Sequence, residues 1–239
     1  MTNGRVLVTR PQPGASRTAR RLAEAGFEPI VMPLTEIRPL AVEPVPVAAD
    51  AIAVTSANAI RSASAALVAA LTEKPLFAVG ARTAKVADEV GFKRIVAADG
   101  DAAGLAARMA MALQPGARVL YLCGKVRRPD FEVCLTGAGM LLEVLETYDT
   151  VEIAHPAELA DATLRAAPID AALVLSARAA ELIVSRVRPG PLAHLFEDTR
   201  YFCMSSRVAA ALTGIDPSHI YIAERPEEDA LVALLARES

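Results

Sequence analysis

Six short stretches carry the groups best suited to holding an anion: Thr9-Arg10, Thr55-Ser56-Ala57-Asn58, Gly80-Ala81-Arg82-Thr83, Gly124-Lys125, Ser176-Ala177-Arg178 and Ser205-Ser206-Arg207. Each follows a β-rich apolar run and precedes a helical one. Small hydroxyl residues and glycine let a carboxylate approach the free N–H groups of a helix's first turn, and arginine adds a bidentate partner. Any single turn of this kind also reads as an ordinary helix N-cap. Their repetition is what points to chemistry: together they imply an anion-binding cleft for a ligand with many carboxylates.

Parallel strands joined by crossover helices are the elements that position such turns. The runs RVLVT (5–9), FEPIVMP (27–33), AIAVT (51–55), LFAVG (76–80), KRIVA (93–97), RVLYLC (118–123), MLLEVLE (140–146), AALVLS (171–176), RYFCMS (200–205) and HIYIA (219–223) read as strands, with helical segments between most of them. The stretch from Ala15 to Ala25 is a helix stopped by Gly26.

The chain repeats itself. A shift of 113 lays RVLVTRPQPG over RVLYLCGKVR and brings Leu22 onto Leu135, Gly26 onto Gly139 and Thr35 onto Tyr148. Shifts of 120 to 125 lay AIAVTSANAI over AALVLSARAA and LFAVGARTAKVADEVG over YFCMSSRVAAALTGID. The order is one β-α-β unit, three β-α units, then the same four again.

Linker lengths group these units. EIRPLAVEPVPVAAD is proline-rich and unhelical, whereas only LQPGA precedes RVLYLC in mid-chain, too tight for a domain boundary. We therefore expect an α/β protein with two doubly wound parallel-sheet domains. The first is discontinuous, residues 1–35 plus 155–239; the second is 48–146. Segments 36–47 and 147–154 connect them, TEIRPL (35–40) and DTVEI (149–153) pairing as a two-stranded β connector.

Other function classes lack their marks. The single G-x-G, Gly137-Ala138-Gly139, follows a helix and precedes a strand, which disfavours a dinucleotide fingerprint. Gly124-Lys125 lacks the upstream glycine of a phosphate-binding loop, and no G-x-S-x-G elbow occurs. Cys123, Cys134 and Cys203 read as core residues, and His155, His194 and His219 are scattered, so no metal site is expected. A net charge of −3 argues against nucleic acid as partner. No apolar run reaches the ~20 residues of a membrane span, and MTNGRVLVTR is unlike a signal peptide, so we expect no membrane partner and a cytoplasmic location.

The runs VLVTRP, GFEPIVMPL, TSAN (55–58), VGARTA (79–84), VLYLCG (119–124), YDT (148–150) and LSAR (175–178) resemble uroporphyrinogen-III synthases over nearly the whole chain. The resemblance implies two α/β domains joined by a β-ladder, a discontinuous first domain, hydroxymethylbilane as substrate, and no metal or organic cofactor. Carried over by position, it puts the tetrapyrrole in the turns of Thr9, Arg10, Ser56, Asn58, Gly80, Arg82, Thr83, Gly124, Ser176 and Ser206. It matches Tyr148 to the family's tyrosine that assists loss of the substrate hydroxyl. In the last turn the chain departs from the family's glycine and T-A pair with Met204-Ser205-Ser206-Arg207-Val208-Ala209. The expected activity is closure of the linear tetrapyrrole with inversion of ring D and loss of water, by a monomer. Two rivals are a non-catalytic anionic-ligand binding or sensory module, and a nucleotide-sugar transferase.

Overall fold

A computed structural model describes residues 3–42, 48–98, 102–155, 164, 167–187 and 193–238. In chain order the elements are β1 (Arg5–Val8), α1 (Gly14–Glu24), β2 (Glu28–Val31), β3 (Thr35–Pro39), β4 (Ala51–Val54), α2 (Ala57–Ser62), α3 (Ala65–Leu71), β5 (Pro75–Val79), α4 (Gly80–Glu89), β6 (Arg94–Ala98) and α5 (Ala102–Ala112). There follow β7 (Arg118–Gly124), α6 (Asp130–Gly137), β8 (Leu141–Glu152), β9 (Ala171–Val174), α7 (Ala177–Leu182), β10 (Arg200–Cys203), α8 (Ser206–Ala210), β11 (Ile220–Ile222) and α9 (Glu228–Glu238). The chain divides into two compact units, Met1–Glu36 with Val151–Ser239, and Ile37–Thr150.

Each unit has its own sheet. The strand order is β11-β10-β9-β1-β2 in one and β3-β8-β7-β4-β5-β6 in the other. The internal repeat equates β1 with β7, β2 with β8, and β9, β10 and β11 with β4, β5 and β6. The ladders agree with it residue for residue. Val6 pairs with Ala171 in one sheet as Val119 pairs with Ala51 in the other, and Arg5 pairs with Glu28 as Arg118 pairs with Leu141. Both sheets therefore carry the flavodoxin-like strand order, circularly permuted in the second unit.

The central strands β1, β4 and β9 are buried at every position, as parallel strands covered on both faces must be. In the second unit Ile52 and Val54 face the core of α2, α3 and α4, while Ala51 and Ala53 face that of α5 and α6. In the first unit Leu7 joins the core under α7 and α8, and Val6 and Val8 join that under α1 and α9. Helix α1 ends where the sequence indicates: Gly26 has φ +86, and the N–H groups of Gly26 and Phe27 close the last turn onto Ala23 and Leu22. Its repeat counterpart after α6, Gly139, has φ +79.

One sequence expectation is corrected. MLLEVLE and DTVEI are not separate strands but one strand, β8, twelve residues long. On one side β8 runs parallel to β7; on the other it pairs with β3. Leu40 donates to the Thr147 carbonyl and Ile153 to that of Leu34, so the β3–β8 pairing is antiparallel. The connector thus continues the second sheet. Residues 43–47 of the proline-rich linker lie outside the described residues. Cys123 and Cys203 are buried as expected, whereas Cys134 on α6 is exposed. Among the described residues no helix is long and apolar enough to cross a membrane.

Phe202, in β10, is fully buried and its ring stacks on Tyr221 at 4.9 Å. Phe202→Ala is expected to destabilise the protein by about 3–5 kcal/mol, because the neighbours collapse only partly into the space left. Urea denaturation followed by circular dichroism measures it; a midpoint unchanged from the native protein would contradict this packing.

Candidate functional site

Ligands of an open parallel sheet bind beyond the carboxyl ends of the strands, where the strand order reverses. In the second unit that point lies between β7 and β4. A cavity of about 270 Å³ opens there, lined among others by Thr55, Tyr121, Gly124, Arg127, Asp130 and Tyr148.

Tyr148 reaches the cavity through an irregularity in β8. The β7–β8 register is regular from Arg118↔Leu141 to Cys123↔Glu146 and then jumps to Gly124↔Tyr148, leaving Thr147 as the extra residue of a β-bulge. A bulge can put two successive side chains on one face of the sheet. Thr147, fully buried, donates to the Ala59 carbonyl on α2, and Tyr148 packs in that same core. The phenol lies directly over Gly124: a Cβ there would sit 2.6 Å from Tyr148 Cζ and 2.9 Å from its hydroxyl. Lys125 donates its N–H to the Tyr148 carbonyl at 2.8 Å, closing the turn.

The two phenols stay neutral. Burial raises Tyr148 above the ordinary tyrosine value, and the Ser56 hydroxyl bonded to it offsets only part of this. Burial likewise pushes Tyr121 up to about 12, opposed by its hydrogen bond with Thr55 at 2.8 Å. Cys123 beside them is also pushed up to about 12 by burial, so its thiol is not a ready nucleophile at neutral pH. Arg127 crosses the β7–α6 turn, donating to Glu132 and Glu146 at 2.6 Å each and to the Gly124 carbonyl at 3.2 Å. Although burial acts the other way, those two carboxylates hold its guanidinium above the usual arginine range. The site therefore offers neutral hydroxyl donors, with Arg127 answered by Glu132 and Glu146 and the exposed Arg128 at its rim paired with Asp130 at 3.0 Å.

The remaining predicted positions divide between the units. In the second unit Ser56 caps α2 by accepting from Asn58 N–H, Gly80 opens α4 at φ +73, Thr83 is buried one turn in, and Arg82 is exposed beside it. In the first unit Ser176 caps α7 through the Ala179 N–H, and Ser206 is the exposed first residue of α8. Thr9 follows β1 at that unit's own order reversal, and its buried hydroxyl has no hydrogen-bond partner among the described residues. Arg10 turns inward: it lies 2.8 Å from Glu228 Oε2 on α9 and 3.3 Å from Thr18 Oγ1 on α1. Its charge is thus committed within the unit. Sequence reasoning missed Tyr121 and Arg127. The only signal was one phenol inside the strand run RVLYLC and an arginine pair after it.

The family profile described as uroporphyrinogen-III synthase HemD matches residues 16–233. Among solved structures, a uroporphyrinogen-III synthetase from Helicobacter pylori is similar with a TM-score of 0.67 at 18% identity, over 100% of both chains. A mutant uroporphyrinogen III synthase from the extremely thermophilic bacterium Thermus thermophilus is similar with a TM-score of 0.56 at 20% identity, over 98% of this chain and 99% of that one. At these identities the likeness is one of fold. No curated protein matches the chain.

Gly124→Ala keeps an accessible backbone conformation but pushes the Tyr148 ring away, so a loss of about 1–3 kcal/mol from overpacking is expected, with the phenol displaced in a crystal structure. An undisplaced ring would refute the close approach. Around Arg10, Glu228 is held below the ordinary carboxylate value by Thr18, Arg10 and Arg21, against the opposing effect of burial. A folded pKa below the unfolded one adds stability that is full above the unfolded value, about 4.3, and is lost as pH falls through the folded one. Glu228→Gln should therefore destabilise the protein by roughly 1–3 kcal/mol at pH 7 and by progressively less as the pH falls below about 4.3. Melting temperatures across that range test the sign.

Proposed function

The chain belongs to the uroporphyrinogen-III synthase family, and from that premise we propose that it is a lyase converting hydroxymethylbilane to uroporphyrinogen III with loss of water and inversion of ring D. We propose further that it works as a cytoplasmic monomer without metal or organic cofactor. The observation that carries the reading is the Tyr148 phenol, seated on Gly124 beside a cavity at the order reversal of the second sheet.

The substrate supplies much of the reactivity, because an electron-rich pyrrole can expel its own hydroxyl to give an azafulvenium cation. The C–O bond of the hydroxymethyl group breaks with both electrons going to oxygen. That oxygen takes the Tyr148 proton and leaves as water; the phenolate recovers a proton from the carbon that loses one when the ring closes. A phenol held above its ordinary pKa is protonated at neutral pH and can make this donation. Attack of the cation by the substituted carbon of the last ring gives a spiro intermediate, whose fragmentation and reclosure invert that ring.

Positioning accounts for the rest of the catalysis. In this proposal Ser56, Asn58, Gly80, Arg82 and Thr83, with Gly124 under the phenol, engage the substrate in the second unit, and Thr9, Ser176 and Ser206 in the first. Thr9, whose buried hydroxyl has no partner among the described residues, shares that unit's order reversal with Ser176. Arg10, bound to Glu228, shapes its turn rather than meeting a carboxylate.

Incubation with hydroxymethylbilane should yield the type III isomer in excess of the spontaneous type I product. Binding without turnover would instead support the non-catalytic binding module. Tyr148→Phe should fold and bind nearly as well, with kcat reduced roughly ten- to a hundredfold, below the usual general-acid range because the substrate ionises readily by itself. Since burial raises the phenol, the native rate should show no loss assignable to Tyr148 below about pH 10. A folded Tyr148→Phe variant with native kcat would remove the residue from the chemistry.

A further inference from the structure

Thr55 and Ser56 are consecutive, yet their hydroxyls serve two different phenols. Thr55 Oγ1 lies 2.8 Å from the Tyr121 hydroxyl, whereas Ser56 bonds Tyr148. Tyr121 approaches from the core of α5 and α6 and Tyr148 from that of α2, α3 and α4. Both phenols line one cavity with Thr55. The mechanism above uses one of these pairs and leaves the other idle.

Two hydroxyls bonded to each other use one O–H between them. They leave one O–H donor and several lone pairs for a third partner. A partner that both donates and accepts, a hydroxyl group or a water molecule, satisfies such a pair more fully than a carboxylate, which only accepts. The nearest guanidinium, Arg127, is already answered by Glu132 and Glu146 and does not tip the pair toward an anion. Packing does not call for the Tyr121 hydroxyl either, because the ring is held by its tilted contact with Phe131 at 4.6 Å. The polar end of the side chain is thus an addition to a ring that would be buried without it.

We propose that Tyr121 and Thr55 form a second hydrogen-bonding site that takes the departing hydroxyl as it becomes water, while Tyr148 protonates it. The proposal rests on the reading of the chain as a uroporphyrinogen-III synthase. The C–O bond breaks as described above, and the Tyr148 proton completes the water; the Tyr121–Thr55 pair neither gains nor loses a proton overall. Its part is to hold the water's oxygen and hydrogens. A water left loose beside the azafulvenium cation would add back and regenerate the bilane. Burial pushes Tyr121 up to about 12, which keeps it a neutral donor throughout.

The test uses the full chain and hydroxymethylbilane. Tyr121→Phe and Thr55→Val each remove one hydroxyl, and Thr55→Ser restores the alcohol. Tyr121→Phe should keep its melting temperature and its KM within about twofold, with kcat reduced roughly three- to tenfold, the effect of one neutral hydrogen bond. Thr55→Val should match it, and Thr55→Ser should recover most of the native rate. Because Tyr148 and the pair act on the same oxygen, the Tyr121→Phe/Tyr148→Phe double variant should depart from the product of the single effects. A merely structural role would instead lower the melting temperature, and Thr55→Ser would not be needed to restore kcat. Native kcat in folded Tyr121→Phe and Thr55→Val, or effects that simply multiply, would overturn the proposal. If the native protein forms no type III product, the underlying reading fails, and this inference fails with it.

Discussion

The second unit depends on a single close approach, the phenol of Tyr148 lying on the bare backbone of Gly124. Any side chain at 124 would enter the ring, the nearest atom standing 2.6 Å from where its Cβ would be. The bulge at Thr147 makes that approach possible, because the extra residue re-aims everything beyond it. Thr147 fixes the bulge through the Ala59 carbonyl, Lys125 closes the turn onto the Tyr148 carbonyl, and Arg127 ties the same turn to α6 and β8. A polar tip is thereby brought beside a cavity on a strand otherwise engaged in sheet pairing.

The two sheets give this arrangement its setting. Each is built on parallel strands with helices on both faces, the second extended at one edge by the antiparallel β3, and the same parallel strand pairs in the same register recur in both. Parallel order obliges every crossover to pass over a face, so the turns at the carboxyl ends gather where the order reverses. Thr55, Gly124 and Tyr148 meet at the reversal of one sheet; Thr9 and Ser176 end the paired strands β1 and β9 at that of the other.

Charge at these sites is spent inwardly. Arg10 answers Glu228, and Arg127 answers Glu132 and Glu146. What remains for a ligand at the cavity of the second unit is mainly neutral hydroxyl, kept neutral by burial. Such donors suit a reaction whose substrate is already prone to ionise, since they meet a leaving oxygen without adding a buried charge that would need its own partner.

Read along the chain alone, the residues settle the alternation of strands and helices, the repeat, and the six turns at which hydroxyl residues or glycine follow a strand. These follow from local rules: β-branched runs, helix stops such as Gly26 and Gly139, and the parity of side chains along a strand. The repeat even carries the ladder register, because paired strands of one sheet keep their spacing in the other. Parity is also where local reading stopped. Counted along β8, Tyr148 shares the face of Leu142 and Val144, which pack toward α5 and α6; the bulge moves it to the opposite core. A bulge depends on what the neighbouring strand offers, here a glycine with no side chain, and nothing within residues 141–152 encodes that neighbour. The partners of Arg10 and Tyr121 were hidden for the same reason. Glu228 is more than two hundred residues from Arg10, and Thr55 lies 66 residues from Tyr121; only the folded sheets bring them within hydrogen-bonding distance.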